Sequence, residues 1–271
     1  AAGAGTIVNS SSNPGTITGL TANTIYEVYV RDSCAPGDVS DWVGPVVFRT
    51  RCNPVSAPFS EDFEGTSFTT GTFLTLGNLD PCWSRDTAVN YVWEPVNGNN
   101  GTNLTGPNND HTTGSGKYLL TDNVFLASQS VLATEVSSVT IDLSPLTDPE
   151  LSFWYHTFGT AIDSLEVLVD DGQSRNSVFV SSGPQQTGAG SAWLEAIVDL
   201  NAYANDTIAL IFRGVRSSAA RAEIAIDDVK IDEKPTCPKP QNFSLLTVNS
   251  NSATLDWTSG GASNWNLSYG S

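Results

Sequence analysis

Leu151-Ser152-Phe153-Trp154-Tyr155-His156 and Leu165-Glu166-Val167-Leu168-Val169 are short runs, rich in aromatic and branched side chains and bounded by Asp, Gly and Pro. Runs of this kind read as strands of a sandwich. Thr207-Ile208-Ala209-Leu210-Ile211-Phe212 and Ala222-Glu223-Ile224-Ala225-Ile226 read the same way, and Asp170-Asp171-Gly172 and Gly183-Pro184 supply the turn formers that separate hairpins or longer loops. Two packed antiparallel sheets follow. No amphipathic run is long enough to predict a major helix, so the fold class is all-β.

Composition agrees. The 271 residues hold 23 Gly and 14 Pro, and 39% hydrophobic residues with 7 Trp, 11 Phe and 7 Tyr provide for a sizeable core. Length alone suggests roughly two domains. Asp and Glu outnumber Lys and Arg by 29 to 12, for a net charge of -17. Such a surface repels nucleic-acid phosphates and attracts cations. No segment approaches the roughly 20 apolar residues needed to cross a bilayer, which argues against membrane insertion. With no signal peptide in it, the chain is expected to be a mature fragment of something larger. Cys34, Cys52, Cys82 and Cys237 lack the paired short spacings of zinc ligands, so disulfides are expected, and four cysteines allow three pairings.

The central region, residues 51–236, carries four ordered blocks. These are Asp62-Phe63-Glu64 followed by Cys82-Trp83 and Trp93; Gly106-Pro107-Asn108-Asn109-Asp110-His111-Thr112-Thr113-Gly114-Ser115-Gly116-Lys117-Tyr118; Leu151 through His156 with Gly159; and Trp193 through Phe212 to Glu223-Ile224-Ala225-Ile226-Asp227-Asp228-Val229. Together they resemble a MAM domain, the adhesive module named for meprin and receptor-type tyrosine phosphatases. That resemblance implies a jelly-roll sandwich. The family commonly has cysteines immediately before its Asp-Phe-Glu and its Leu-Ser-Phe-Trp-Tyr, where this chain has Glu61 and Glu150. The family's disulfide pattern therefore does not transfer unchanged; within this domain the resemblance implies Cys52 with Cys82.

The flanks look like two parts of another domain. Cys237-Pro238-x-Pro240 with Trp257, and Gly19-Leu20-x-x-x-Thr24-x-Tyr26-x-Val28-x-Val30 with Ser40 through Thr50, resemble fibronectin type III domains as they occur in secreted proteins of Bacteroidetes. Residues 237–271 match the opening of such a domain and residues 1–50 its close. Joined at Tyr269-Gly270-Ser271 and Ala1-Ala2-Gly3, they come close to one β-sandwich of about 100 residues. The resemblance implies cysteines of the Cys34 and Cys237 type bonded inside each fibronectin-like domain, and Cys34 with Cys237 if these two parts pair. The arrangement suits one period of a tandem array, or assembly in which one chain's tail completes another's head.

Several residues are candidates for function. Asp62 and Glu64 flank Phe63 at spacing two and are expected to project from one side of a strand. Asp227 and Asp228 are expected to end another strand, and in jelly rolls of this kind the first and last strands usually lie side by side. Four carboxylates meeting there would repel one another unless a hard cation such as calcium neutralised them, with Asp110 adding a ligand from its loop. The competing reading has these acids capping turns in solvent. His111 and His156 are the two histidines; neither lies in a His-Glu-x-x-His motif or beside a nucleophile elbow, so no catalytic residue is assigned.

Tyr91 and Tyr203 are candidate stacking platforms for sugars, whereas Trp93 and Trp193 fall where the MAM pattern predicts core. Thr87, Ser164 and Thr207, each in an Asp-Ser/Thr-apolar tripeptide, resemble Bacteroidetes O-glycosylation acceptors. The function expected is a non-catalytic, extracellular, calcium-stabilised structural or adhesion unit of a large surface protein. Its expected partners are other repeats or neighbouring protomers, surface glycans or other cell-surface proteins. The alternative is a carbohydrate-binding or accessory module of a secreted hydrolase or protease.

Overall fold

The computed structural model describes residues 4–71, 75–87, 91–98, 105–123, 132–217 and 221–270. Ala1, Ala2, Gly3 and Ser271 of the expected junction, and Ala88 of one glycosylation tripeptide, lie outside them. Strands come in three groups along the chain. The first is β1 (Ile25–Val30), β2 (Ser33–Ala35), β3 (Asp38–Val39) and β4 (Val43–Arg49). The central group is β5 (Val55–Ser56), β6 (Phe59–Glu61), β7 (Ser84–Arg85), β8 (Tyr91–Asn97), β9 (Lys117–Asn123), β10 (Ala133–Ser137), β11 (Ile141–Asp142), β12 (Pro149–Thr157), β13 (Ile162–Asp170), β14 (Arg175–Ser182), β15 (Leu194–Asp199), β16 (Thr207–Arg216) and β17 (Ile224–Glu233). The last is β18 (Gln241–Val248) and β19 (Ala253–Thr258). Among the described residues the one helical segment is a 3-10 turn, Asn201–Tyr203.

The central strands form two packed sheets, a jelly-roll-like sandwich. One sheet runs β14-β13-β16-β10-β7, with β11 joining β16 and β5; the other runs β15-β12-β17-β9-β8, with β6 joining β17. Alternation explains which side chains meet. Leu151, Phe153 and Tyr155 of β12 and Leu165, Val167 and Val169 of β13 point inward while their neighbours do not. Phe153 packs edge-on against Phe179 and Phe212, with ring centroids 5.3 and 5.4 Å apart, which favours the quadrupoles as well as removing area from water. Alternation stops at His156 and Thr157, which are buried too. There the outer face is covered by the following loop, whose Gln185 N–H donates to the Thr157 carbonyl at 3.1 Å while Gln186 Oε1 accepts from the Thr157 N–H at 2.7 Å. Cys52 and Cys82 are bonded, closing a span of 30 residues against the core.

First and last strands of the sandwich do lie together: β6 pairs antiparallel with β17, Ser60 opposite Lys230. Two expectations need correction. Asp62, Phe63 and Glu64 follow β6 in a turn, where Phe63 takes a φ of +58° to bury its ring against Phe68 and Trp83. Asp227 and Asp228 sit within β17 rather than at its end. Trp154 is opposite Asp227 while Ser152 is opposite Lys230, so β17 carries one extra residue, a bulge at which Asp228 adopts a φ of +48°.

The flanks fold separately, as β1 with β4, β2 with β3, and β18 with β19. The Tyr26 hydroxyl oxygen accepts the Thr21 N–H at 2.8 Å, a side chain bonding back to backbone a few residues upstream as in a tyrosine corner.

Candidate cation site at the bulge of β17

The bulge turns two consecutive carboxylates toward the loop that precedes β9. Asp227 is almost wholly buried: its Oδ2 accepts the His111 N–H at 2.8 Å and its Oδ1 the Asp228 N–H at 2.8 Å. Burial, and then the charges of Asp228 and Asp110, push its pKa up to about 8 against the pull of those two amides. Asp228 Oδ2 lies 2.7 Å from His111 Nδ1 and also accepts from the Thr112 hydroxyl. The His111 ring stacks on Trp154, centroids 3.8 Å apart, so the loop is held by an aromatic contact as well as by polar ones.

Asp110 organises the same loop from inside. Its Oδ2 accepts the Thr113 N–H at 2.6 Å and its Oδ1 the Gly116 N–H at 2.7 Å. Burial by itself would raise this carboxyl; the amides outweigh it and hold the pKa below the usual range. Glu64 reaches the end of the loop, where its Oε1 accepts the Lys117 N–H at 2.7 Å. Glycine is required at Gly116, because a Cβ there would run into the Glu64 carboxylate. Asp62 does something else: its Oδ1 accepts the Glu64 N–H at 3.0 Å, a turn-capping bond in solvent.

The fold thus gathers Asp110, Asp227 and Asp228 around one loop, with Glu64 at its far end. Among the described residues no three His, Cys, Asp or Glu side chains are disposed as metal ligands. The carboxylates instead accept from backbone amides, His111 and Thr112. Their chemistry still fits a hard cation: the donors are oxygens, and a buried carboxylate held near two others is short of positive charge. Glu61 was missed as a participant. Burial, with Asp62 and Asp80 adding to it, pushes its pKa up to about 7 despite the Phe63 N–H and Lys117. The signal was the sequence itself, an acid directly before Asp62.

Other candidates scatter. Tyr91 is no platform: it is wholly buried, donates its hydroxyl to the Ala222 carbonyl at 2.8 Å and has Arg216 4.5 Å over its ring. Trp93 is core, and Trp193 is half-buried with its indole N–H on the Asn109 carbonyl at 3.2 Å. Tyr203 is half-buried against the sandwich. Ser164 is buried on β13, so it cannot present its hydroxyl to a glycosylating enzyme; Thr87 and Thr207 are exposed. Cys34 and Cys237 are free and exposed; the fold does not join them.

Residues 63–238, which include all of this loop and the bulge, match the MAM domain family, meprin/A5/mu. The chain belongs to the MAM domain family. Human MAM domain-containing protein 2 is 29% identical over 146 residues, covering 53% of this chain and 20% of that protein. Zebrafish Neuropilin-1a is 32% identical over 141 residues, covering 52% of this chain and 15% of that one. The chain therefore spans a fifth or less of the length of these curated relatives. Among solved structures, the K1 cleaved adhesin domain of Lys-gingipain from Porphyromonas gingivalis W83 is similar at 19% identity and a TM-score of 0.43, over 66% of this chain and 99% of that one. TmCBM61 in complex with β-1,4-galactotriose is similar at 15% identity and a TM-score of 0.38, over 56% and 87%.

Proposed function

We propose that this MAM-family chain is a non-catalytic extracellular adhesion module, part of a larger surface protein, stabilised by calcium at the β17 bulge. The observation that carries the reading is the buried Asp227 carboxylate, beside Asp228 and Asp110, in the loop-and-strand arrangement that the family match spans. Calcium would be held by Asp110, Asp227 and Asp228, with Glu64 and Asp62 near enough in the fold to contribute after turning from their present amides. It would supply the positive charge this site lacks and brace the loop against the closing strand. The Cys52–Cys82 bond suits an oxidising compartment. A relative of the central region is named a MAM domain-containing glycosylphosphatidylinositol anchor protein, which supports placement at a cell surface. Calorimetric titration of calcium into chelator-treated protein should give heat and a raised melting temperature, both lost in Asp227→Asn. No heat together with an unchanged melting temperature would sink the calcium reading. Beads coated with the chain should clump with partner-bearing cells or with one another; coated beads that stay dispersed in calcium count against adhesion.

A second reading, a carbohydrate-binding module, draws on the half-buried rings of Trp154, Trp193 and Tyr203. Saturable binding on a glycan array, lost in Tyr203→Ala, would favour it over adhesion.

A further inference from the structure

The two outer sheets present open apolar faces. On β1 and β4 the register sets Tyr26 beside Phe48, Val28 beside Val46 and Val30 beside Val43, so all six side chains share one face. Val30, Val43 and Val46 are 65%, 69% and 66% exposed, which is far from what such a row of side chains has in a folded sandwich. On β18 and β19, Leu245 lies opposite Leu255, and the rings of Phe243 and Trp257 are 6.4 Å apart, so alternation places these four on one face. A two-stranded sheet is at best marginally stable in water, and two apolar faces stacked about 10 Å apart make the core each one lacks.

Cysteines indicate which face meets which. Cys34 on β2 and Cys237 just before β18 are free exposed thiols, one on each flank, in a chain whose other two cysteines are bonded to each other. Within the chain the two flanking sheets share no strand pairing. We infer that the β1–β4 face of one copy is covered by the β18–β19 face of a second copy, and that Cys34 of the first is bonded to Cys237 of the second. The two surfaces differ, so the contact is heterologous: each pair keeps one face of each kind free, and copies join head to tail into a ring or an open fibre. Bond formation takes two protons and two electrons from the thiols and gives them to an external disulfide, which is reduced to its two thiols. This deepens the adhesion reading by naming the partner, and rests on it only for the oxidising compartment; the calcium site plays no part in it.

The test uses the full chain in a buffer of reduced and oxidised glutathione. Cys34→Ser and Cys237→Ser chains, each kept apart, should give no covalent dimer; mixed, they should give a dimer whose unreduced peptide map shows Cys34 bonded to Cys237. Wild-type chain should give a ladder of higher species by sedimentation and on non-reducing gels. Val46→Asp or Phe243→Asp places a charge on one face, and either should cut the mixed-dimer yield at least about tenfold while the sandwich melts as before. Equal dimer yields from the single variants alone would mean adventitious thiol oxidation and overturn the inference. In a mixture of isotopically light and heavy wild-type chains, a Cys34–Cys237 peptide found only within one label would assign the pairing to a single chain and overturn it as well. So would an absence of any dimer. None of these outcomes touches the heat of calcium binding, so failure here and failure of the calcium reading are distinguishable.

Discussion

The central sandwich and the flanking sheets are written in the same alternating code, yet only one of them has an interior. Val28 and Val46 face each other across β1 and β4 much as Val167 and Phe212 do across β13 and β16. Val167 and Phe212 are wholly buried because β12 and β17 lie over them in the second sheet; Val46 is two-thirds exposed because nothing does. A strand is a local property of period-two sequence, whereas a core is a property of two layers. Stability should follow the second, not the first.

The largest expected effect breaks the comparison most directly. Phe153→Ala opens a cavity among Phe179, Phe212 and Tyr155 and should cost about 3–5 kcal/mol of sandwich stability, whereas Val46→Ala should cost under about 0.5 kcal/mol. Denaturant midpoints followed by tryptophan fluorescence measure both. Comparable losses would mean that the flank is packed in solution. Next in size is the covalent tie. Replacing Cys52 and Cys82 by serine together frees a span of 30 residues and should cost about 3 kcal/mol by chain entropy, seen as a lower melting temperature in calorimetry.

Acid should find the sandwich's weakest buried group. His156 is wholly buried, and burial lowers its pKa to about 4, although the nearby backbone of Gly188 and Ser191 opposes the fall. Neither ring nitrogen makes a well-formed hydrogen bond. The unfolded histidine titrates near 6.5, so between about pH 6.5 and pH 4 the unfolded chain binds the extra proton and stability drops as pH falls, by roughly 2 kcal/mol at pH 5. Urea midpoints at pH 7 and pH 5 measure this, and His156→Phe should remove most of the difference. An unchanged pH slope in that variant would assign the loss to another group.

How much of this was legible beforehand differs by element. The strands around Leu151, Leu165, Thr207 and Ile224 were, because alternation and turn residues are local signals. The meeting of Asp110 with Asp227 and Asp228 was legible only through ordered family blocks, since pairing of β6 with β17 joins residues far apart in the chain. The bulge was not: nothing in Asp227-Asp228-Val229 announces an extra residue, which shows only against the register of β12. Burial of Tyr91 and Ser164 was equally hidden. Each reads as polar-tipped in a strand, and only the layer over it and a satisfied hydroxyl, on Ala222 for Tyr91, make it interior. His111 had been set aside as structural, and its part in fixing Asp228 depends on a stack with Trp154 that no spacing encodes.

The smallest effect comes from the sandwich's own edge, where the comparison is sharpest. β14 belongs to the sandwich, yet its residues are mostly exposed, like those of β4. Arg175 at its start lies 2.9 Å from Asp170 and 3.3 Å from Glu135, and all three side chains are open to solvent or partly so. Ion pairs of this kind gain little Coulomb energy, order long side chains and are screened by salt. Arg175→Ala should therefore shift the denaturant midpoint by an amount worth under about 1 kcal/mol, and by less still in 1 M salt. If that variant costs as much as Phe153→Ala, membership of the sandwich matters in itself. If it behaves like Val46→Ala, burial decides, and an edge strand is energetically nearer to a flank than to the core it borders.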